Sequence, residues 1–257
     1  MFRDRLRFLL RVVATRLIRR FRPPPDPSIE LRRRIRSRIR RLGRVYVDGN
    51  SDLLGYTYHP VPFAEFGDVP AHRSACEERL RAILDAMPIR PGDWILDVGA
   101  NVGFFAFGLA GKGAIVEAYE ADSDTFEIGA ALAKLHRADV LYINKPIAPD
   151  TLKYLRPRYR GVLLLSVFHW IMKQVGEDAA REVLRDLVAR ADHTFFEAPV
   201  NAADAMYRHP WFASREACKT FLRTTLPAGT PIVPLATDVG WMDRVLYRID
   251  GPRESAR

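Results

Sequence analysis

Between residues 72 and 250 the apolar positions switch repeatedly between a helical and an extended spacing. Residues 72–88 carry Cys76, Leu80, Ile83, Leu84 and Met87 on one helical stripe, which Pro91-Gly92 brings to an end. Trp94–Val98 follows as a continuous apolar run with a single acid, Asp97, near its end, and so predicts a parallel strand buried on both faces. The spacing then predicts a helix from Phe104 to Leu109, a strand over Ala114–Tyr119, a helix over Ser123–His136 and a strand over Val140–Asn144. Further on come a strand over Gly161–Ser166, a helix over Asp178–Ala191 and a strand over Thr194–Glu197. A helix over Ser214–Leu226 and strands over Ile232–Leu235 and Arg244–Ile249 close the series. Strands alternating with helices need right-handed crossovers. The expected fold is therefore α/β: a Rossmann-like, doubly wound, mostly parallel seven-stranded sheet with helices on both faces. Ligands of such sheets sit at the C-terminal strand edges, near the switch point.

The N-terminal region has a different pattern. Phe2, Leu6, Leu9, Leu10, Val13, Leu17 and Phe21 recur at three and four, with Arg3, Arg7, Arg11, Arg16 and Arg20 between them, until Pro23-Pro24-Pro25 stops the helix. A second basic stretch carries Leu31, Ile35, Ile39 and Leu42 on one stripe. Arg11 and Arg16 interrupt every window of the roughly 20 apolar residues that a membrane span requires, and a secretory signal fits as poorly, whereas an organellar transit peptide matches the Arg-rich composition.

Charge sharpens this division. Residues 1–44 hold 16 Arg against 3 Asp/Glu, net +13, out of 40 Lys+Arg and 31 Asp+Glu in the chain; the remainder is therefore net −4. Three organisational units follow: an Arg-rich amphipathic arm over 1–44, a Pro- and aromatic-rich segment over 45–71, and the α/β domain over 72–257. Four uses of the arm fit its composition: a solvated tail, a stripe packed on the protein's own body, an interfacial helix on anionic lipid headgroups, or a tether to nucleic acid. The continuous Phe/Leu/Val face favours lipid over nucleic acid. The aromatics Tyr56, Tyr58 and Phe63 place the middle segment across the main domain, either roofing a ligand pocket or covering core.

Composition excludes other classes. With 48% hydrophobic and 28% charged residues, collagen-like and wholly disordered chains are ruled out. Cys76 and Cys218 are too few for a disulfide framework or a four-cysteine zinc site, which fits a reducing, cytoplasmic compartment. No metal site is expected.

The chemistry concentrates in Asp97-Val98-Gly99-Ala100-Asn101-Val102-Gly103. A strand passing through glycine directly into a helix aims backbone amides and a helix N-terminus at a ligand. Gly99 permits positive φ, Asn101 tolerates the left-handed region, and Gly103 lets the helix lie tight on the sheet. A dinucleotide fingerprint needs glycines at relative positions 1, 3 and 6; here they stand at 1 and 5, with an acid two residues before the first. The strand ending at Glu120 supplies a second anchor, since a carboxylate there can accept two hydrogen bonds at once.

This motif, read as DVGANVGFF, resembles the first motif of class I S-adenosylmethionine (SAM) dependent methyltransferases, in a version similar to that of FkbM-type enzymes. The resemblance implies SAM as cofactor, with Asp97, Gly99, Ala100, Asn101 and Gly103 around it and Glu120 on the ribose hydroxyls. Ser166 lies at the expected pocket edge, and Asp150 is a candidate for the adenine neighbourhood.

Two side chains are candidates for handling the acceptor proton. His169, in Ser166-Val167-Phe168-His169-Trp170, fits a general base or a ring packed structurally on Trp170. Glu197 fits a group orienting a substrate hydroxyl or a base, and equally a salt-bridged strand-end acid. No Asn-Pro-Pro-aromatic motif follows the fourth strand and no Pro-Cys nucleophile is present. The expected reaction is thus O-methylation of a small-molecule, sugar or lipid-linked acceptor. An RNA methyltransferase tethered by the arm and a noncatalytic SAM-fold binding module are the alternatives.

Overall fold

A computed structural model describes residues 26–42, 57–72, 76–200, 209–238 and 243–252. The helical repeat expected over Phe2–Phe21 lies outside these residues. The elements are α1 (Pro27–Ile39), α2 (Cys76–Ala86), β1 (Trp94–Val98), α3 (Phe104–Ala110), β2 (Ile115–Tyr119), α4 (Ser123–His136), β3 (Val140–Ile143) and β4 (Tyr159–Leu165), followed by α5 (Phe168–Val175), α6 (Glu177–Ala189), β5 (Ala191–Val200), α7 (Arg215–Thr225), β6 (Ile232–Asp238) and β7 (Asp243–Asp250). The seven strands form one sheet in the order β3-β2-β1-β4-β5-β7-β6. Only β7 runs antiparallel to its neighbours, so the expected doubly wound α/β architecture is the observed one.

Two cores lie on the two faces, and the period of two along each strand sorts the side chains between them. On one face Ile95, Val116, Leu163, Phe195 and Leu246 meet α1, α2, α3 and α4. On the other, Leu96, Val98, Leu164, Phe196 and Val245 meet α5, α6 and α7. The same alternation puts Asp97, Glu197 and Arg244, each two residues from one of the first group, on the first face.

The structure refines several sequence expectations. A helix, α5, begins at Phe168, where the sequence predicts only a strand edge, and β5 runs longer than Thr194–Glu197 at both ends. The second basic stretch is docked on the domain: Ile35, Ile39 and Leu42 are buried in the first core. Around them Arg38 pairs with Glu127 of α4, and Arg36 donates to both oxygens of Asp68 at 2.7 and 2.9 Å. Of the four uses open to the arm, packing on the protein's own body is therefore realised for this half. Residues 57–72 lie on the same face. Phe66 is buried, Phe63 meets Phe107 of α3 edge-on, and His59 meets Phe105 edge-on. This segment thus covers core and reaches the helix that follows the glycine turn.

The Arg38 ion pairs are half-exposed, and solvent screening makes such pairs worth little. Arg38→Ala is accordingly expected to change unfolding free energy by less than about 1 kcal/mol in urea denaturation, because Ile35 and Ile39 hold α1 in place.

Candidate active site

The turn after β1 departs from ordinary backbone at three positions: Gly99, Asn101 and Gly103 have φ of 70°, 52° and 94°. All three lie in the left-handed region that glycine, and then asparagine, tolerates best. A Cβ on Gly99 would come within 2.6 Å of Val167 Cγ2, and one on Gly103 within 2.3 Å of the Tyr142 hydroxyl. The turn is consequently gripped from two sides, by the chain leaving β4 and by β3.

Its amides are directed at β2. Gly99 and Ala100 both donate to the Tyr119 carbonyl, at 2.8 and 3.0 Å. The Asn101 amide donates to Glu120 Oε2 at 2.9 Å, and the Asp122 amide to Oε1 at 2.8 Å. The expectation that the turn's amides face a ligand is corrected here: three of them tie the turn to the end of β2. What remains for a ligand is a set of acceptors. Each Glu120 oxygen keeps lone-pair capacity beyond one amide bond, and Asp97 Oδ2 is buried with no hydrogen-bond partner.

Asp97 lies under the turn, on the core face of β1. Burial first, and the nearby Glu120 carboxylate second, push its pKa up to about 7, against a smaller lowering by the Ala106 amide. The carboxyl therefore prefers its proton in the folded chain far more than in the unfolded one. Stability from this preference is complete below the unfolded value near 3.9 and is lost as pH rises to about 7. Asp97→Asn should flatten the decline between pH 4 and 7, measured by urea denaturation across that range; an unchanged slope would sink the assignment.

A second cluster forms where the end of β4, the later part of β5 and the start of β7 meet beside α2. Glu197 is almost wholly buried and accepts from Arg79 Nη1 through both oxygens, at 3.0 and 3.1 Å. Arg79 Nη2 also reaches Cys76 Sγ at 3.2 Å, and its guanidinium lies over the Phe105 ring. Arg244, buried on β7, donates to the Ser166 hydroxyl and approaches Glu197 Oε1 at 3.5 Å, while Ser166 Oγ donates to the same carboxylate. Ser166 holds φ of 56° and its amide donates to the Glu197 carbonyl at 2.9 Å. Its successor Val167 is the side chain that packs on Gly99, so the two clusters share a wall.

The expected site residues therefore fall into two groups. Asp97, Gly99, Ala100, Asn101, Gly103 and Glu120 come together at the turn; Ser166 and Glu197 come together across the Val167 wall. Glu197 takes the salt-bridged alternative. His169 lies on α5 rather than at a strand edge, buried, with its ring centroid 5.3 Å from that of the exposed Trp170. Burial, followed by the charges of Arg244 and Lys173, lowers its pKa to about 3. A ring of such low basicity suits the packing alternative better than proton abstraction. Asp150 is exposed.

Three side chains of these clusters escape a reading of the sequence, although two of them leave a signal. Arg79 stands at helical spacing between Cys76 and Ile83, a charge on an apolar stripe, which demands a buried partner. Arg244 alternates with Leu246 on the core face of β7. Tyr142 sits mid-strand with its hydroxyl donating to the Asn101 carbonyl at 3.2 Å, and nothing local announces that contact.

No family model and no curated protein match the chain by sequence. By structure it is similar to the bifunctional kinase-methyltransferase WbdD, with TM-score 0.62 and 20% identity, over 78% of this chain and 44% of that one. It is also similar to the N-terminal domain of EvdMO1, crystallised in the presence of SAH and D-fucose, with TM-score 0.55 and 15% identity over 86% of this chain and 97% of that one. At these identities the likeness is one of fold, and the chain spans less than half of the WbdD chain. Among the described residues no helix is long and apolar enough to cross a membrane.

Proposed function

We propose that this chain is a SAM-dependent methyltransferase acting on a hydroxyl of a small-molecule, sugar or lipid-linked acceptor. The observation that carries this reading is Glu120, whose carboxylate turns back over the glycine turn and accepts the Asn101 amide. An acceptor-only group fixed beside a bare backbone turn fits a ribose diol. The orphaned Asp97 Oδ2 adds a second acceptor below it.

SAM, when bound, supplies a methyl group already activated by its sulfonium, so the protein's own contribution is chiefly orientation. Glu120 and the turn would hold the nucleoside; Arg79, Glu197 and Arg244 fix Ser166, and through it the Val167 wall. Within the cluster Glu197 serves as a positioning group. The sugar acceptor draws support from the fold shared with the EvdMO1 domain studied with D-fucose. Because Ile35, Ile39 and Leu42 are covered by the domain, attachment to an anionic surface falls to residues 1–22, whose arginines remain the proposed tether.

Calorimetric titration tests this reading. SAM should bind the wild type saturably, and Glu120→Ala should weaken binding by about 10–100-fold, the loss expected for charge-assisted hydrogen bonds worth about 1.5–3 kcal/mol. Absence of binding to both proteins would overturn it, and binding without methyl transfer to any hydroxyl acceptor would return the noncatalytic alternative.

A further inference from the structure

At the edge of the sheet opposite the glycine turn, the start of β4, the start of β5 and the end of β7 border a half-open hollow of about 740 Å³. It lies one length of β4 from the proposed cofactor site, seven residues or roughly 20 Å at ~3.3 Å per residue. Its volume falls within the range of small-molecule sites. Arg158, Arg160 and Arg248 line it together with His193, Asp192 and Asp250.

The pairing in this hollow is economical in carboxylates. Asp192 is shared, accepting from Arg158 Nη2 at 2.5 Å through one oxygen and from Arg160 Nη1 at 3.2 Å through the other. Asp250 is shared likewise, by Arg248 Nη2 at 3.3 Å and by His193, whose Nδ1 lies 2.8 Å away. Asp93, outside the lining, forms a longer ion pair with Arg160 Nε at 3.9 Å, which leaves Arg158 and Arg248 with only the shared carboxylates. Among the lining residues three guanidiniums thus face two carboxylates, in a domain that outside the N-terminal arm is net acidic. A guanidinium bears five N–H donors in a planar fork, and these pairs engage only some of them. Such forks match the oxygens of phosphate better than any other side chain does.

We propose that this hollow is an anion site that accepts a phosphate or diphosphate group, free or carried on a small molecule. Arg158 and Arg248 would clamp it from opposite strands, with Asp192 and Asp250 holding the guanidiniums in register. This site is independent of the methyltransferase reading and survives its failure.

The test is calorimetric titration of the full chain with inorganic pyrophosphate at fixed ionic strength, with a nucleoside diphosphate as the second arm. One saturable equivalent is expected in the wild type, with binding at least 10-fold weaker in Arg158→Gln and Arg248→Gln. Arg158→Lys keeps the charge but loses the fork, and should weaken binding at least 3-fold while leaving the circular dichroism spectrum intact, which keeps the test valid if the Gln variants unfold. Tighter binding of the nucleoside diphosphate would identify an esterified ligand, and equal binding a free one. No saturation in the wild type, or wild-type affinity in folded variants, would overturn the proposal and assign any anion uptake to the N-terminal arginines.

Discussion

Glu197→Ala should lower the unfolding free energy by about 3–5 kcal/mol in urea denaturation, the cost typical of deleting one partner of a buried ion pair. The carboxylate is nearly inaccessible, accepts from Arg79 through both oxygens and from Ser166, and lies 3.5 Å from Arg244 Nη1. Its removal takes from two buried guanidiniums the acceptor they share. Replacing both partners by apolar residues, Arg79→Met with Glu197→Leu, should recover much of that loss, since a buried pair is often no more stabilising than good packing. The double variant should still impair the site, because Ser166 loses the hydrogen bond that helps hold its left-handed backbone. A loss below about 1 kcal/mol on Glu197→Ala would show that water reaches the cluster, as at surface pairs.

Gly99→Val is expected to abolish detectable SAM binding and to lower the melting temperature. Two effects act together. A β-branched residue at φ of 70° is a genuine backbone outlier, costing about 1–3 kcal/mol. Its Cβ would also stand 2.6 Å from Val167 Cγ2, so the chain leaving β4 must move away from the turn. Gly92→Val separates strain from function. Gly92 has φ of 87°, a Cβ there would meet nothing within 4 Å, and the residue lies before β1, at the far end from the turn. Comparable strain there should cost stability and leave SAM affinity unchanged. Wild-type affinity in a folded Gly99→Val protein would place the cofactor elsewhere.

How far the site can be read from the chain differs residue by residue. Asp97 and the glycines are legible because a strand-turn-helix handover leaves its mark within seven consecutive residues. Glu120 is legible through its position at the end of the next apolar run. Arg79 and Glu197 are separated by 118 positions, and no spacing rule joins a helix that precedes β1 to a residue on β5. The use of the turn amides escapes for the same reason: their acceptors, the Tyr119 carbonyl and the Glu120 carboxylate, lie at the end of a neighbouring strand whose register exists only when the sheet is assembled.

Hydrophobic periodicity and turn chemistry are properties of neighbouring residues, so the order of strands and helices, the α/β class and the glycine turn followed from the amino-acid order alone. Partnership across the fold is set by strand order and register. Assembly of the sheet therefore decided that half of the basic arm is docked through Ile35 and Ile39, that Glu197 is locked between two arginines, and that His169 is buried as a ring of low basicity. Each is a contact between segments distant in sequence, where burial and charge act through space.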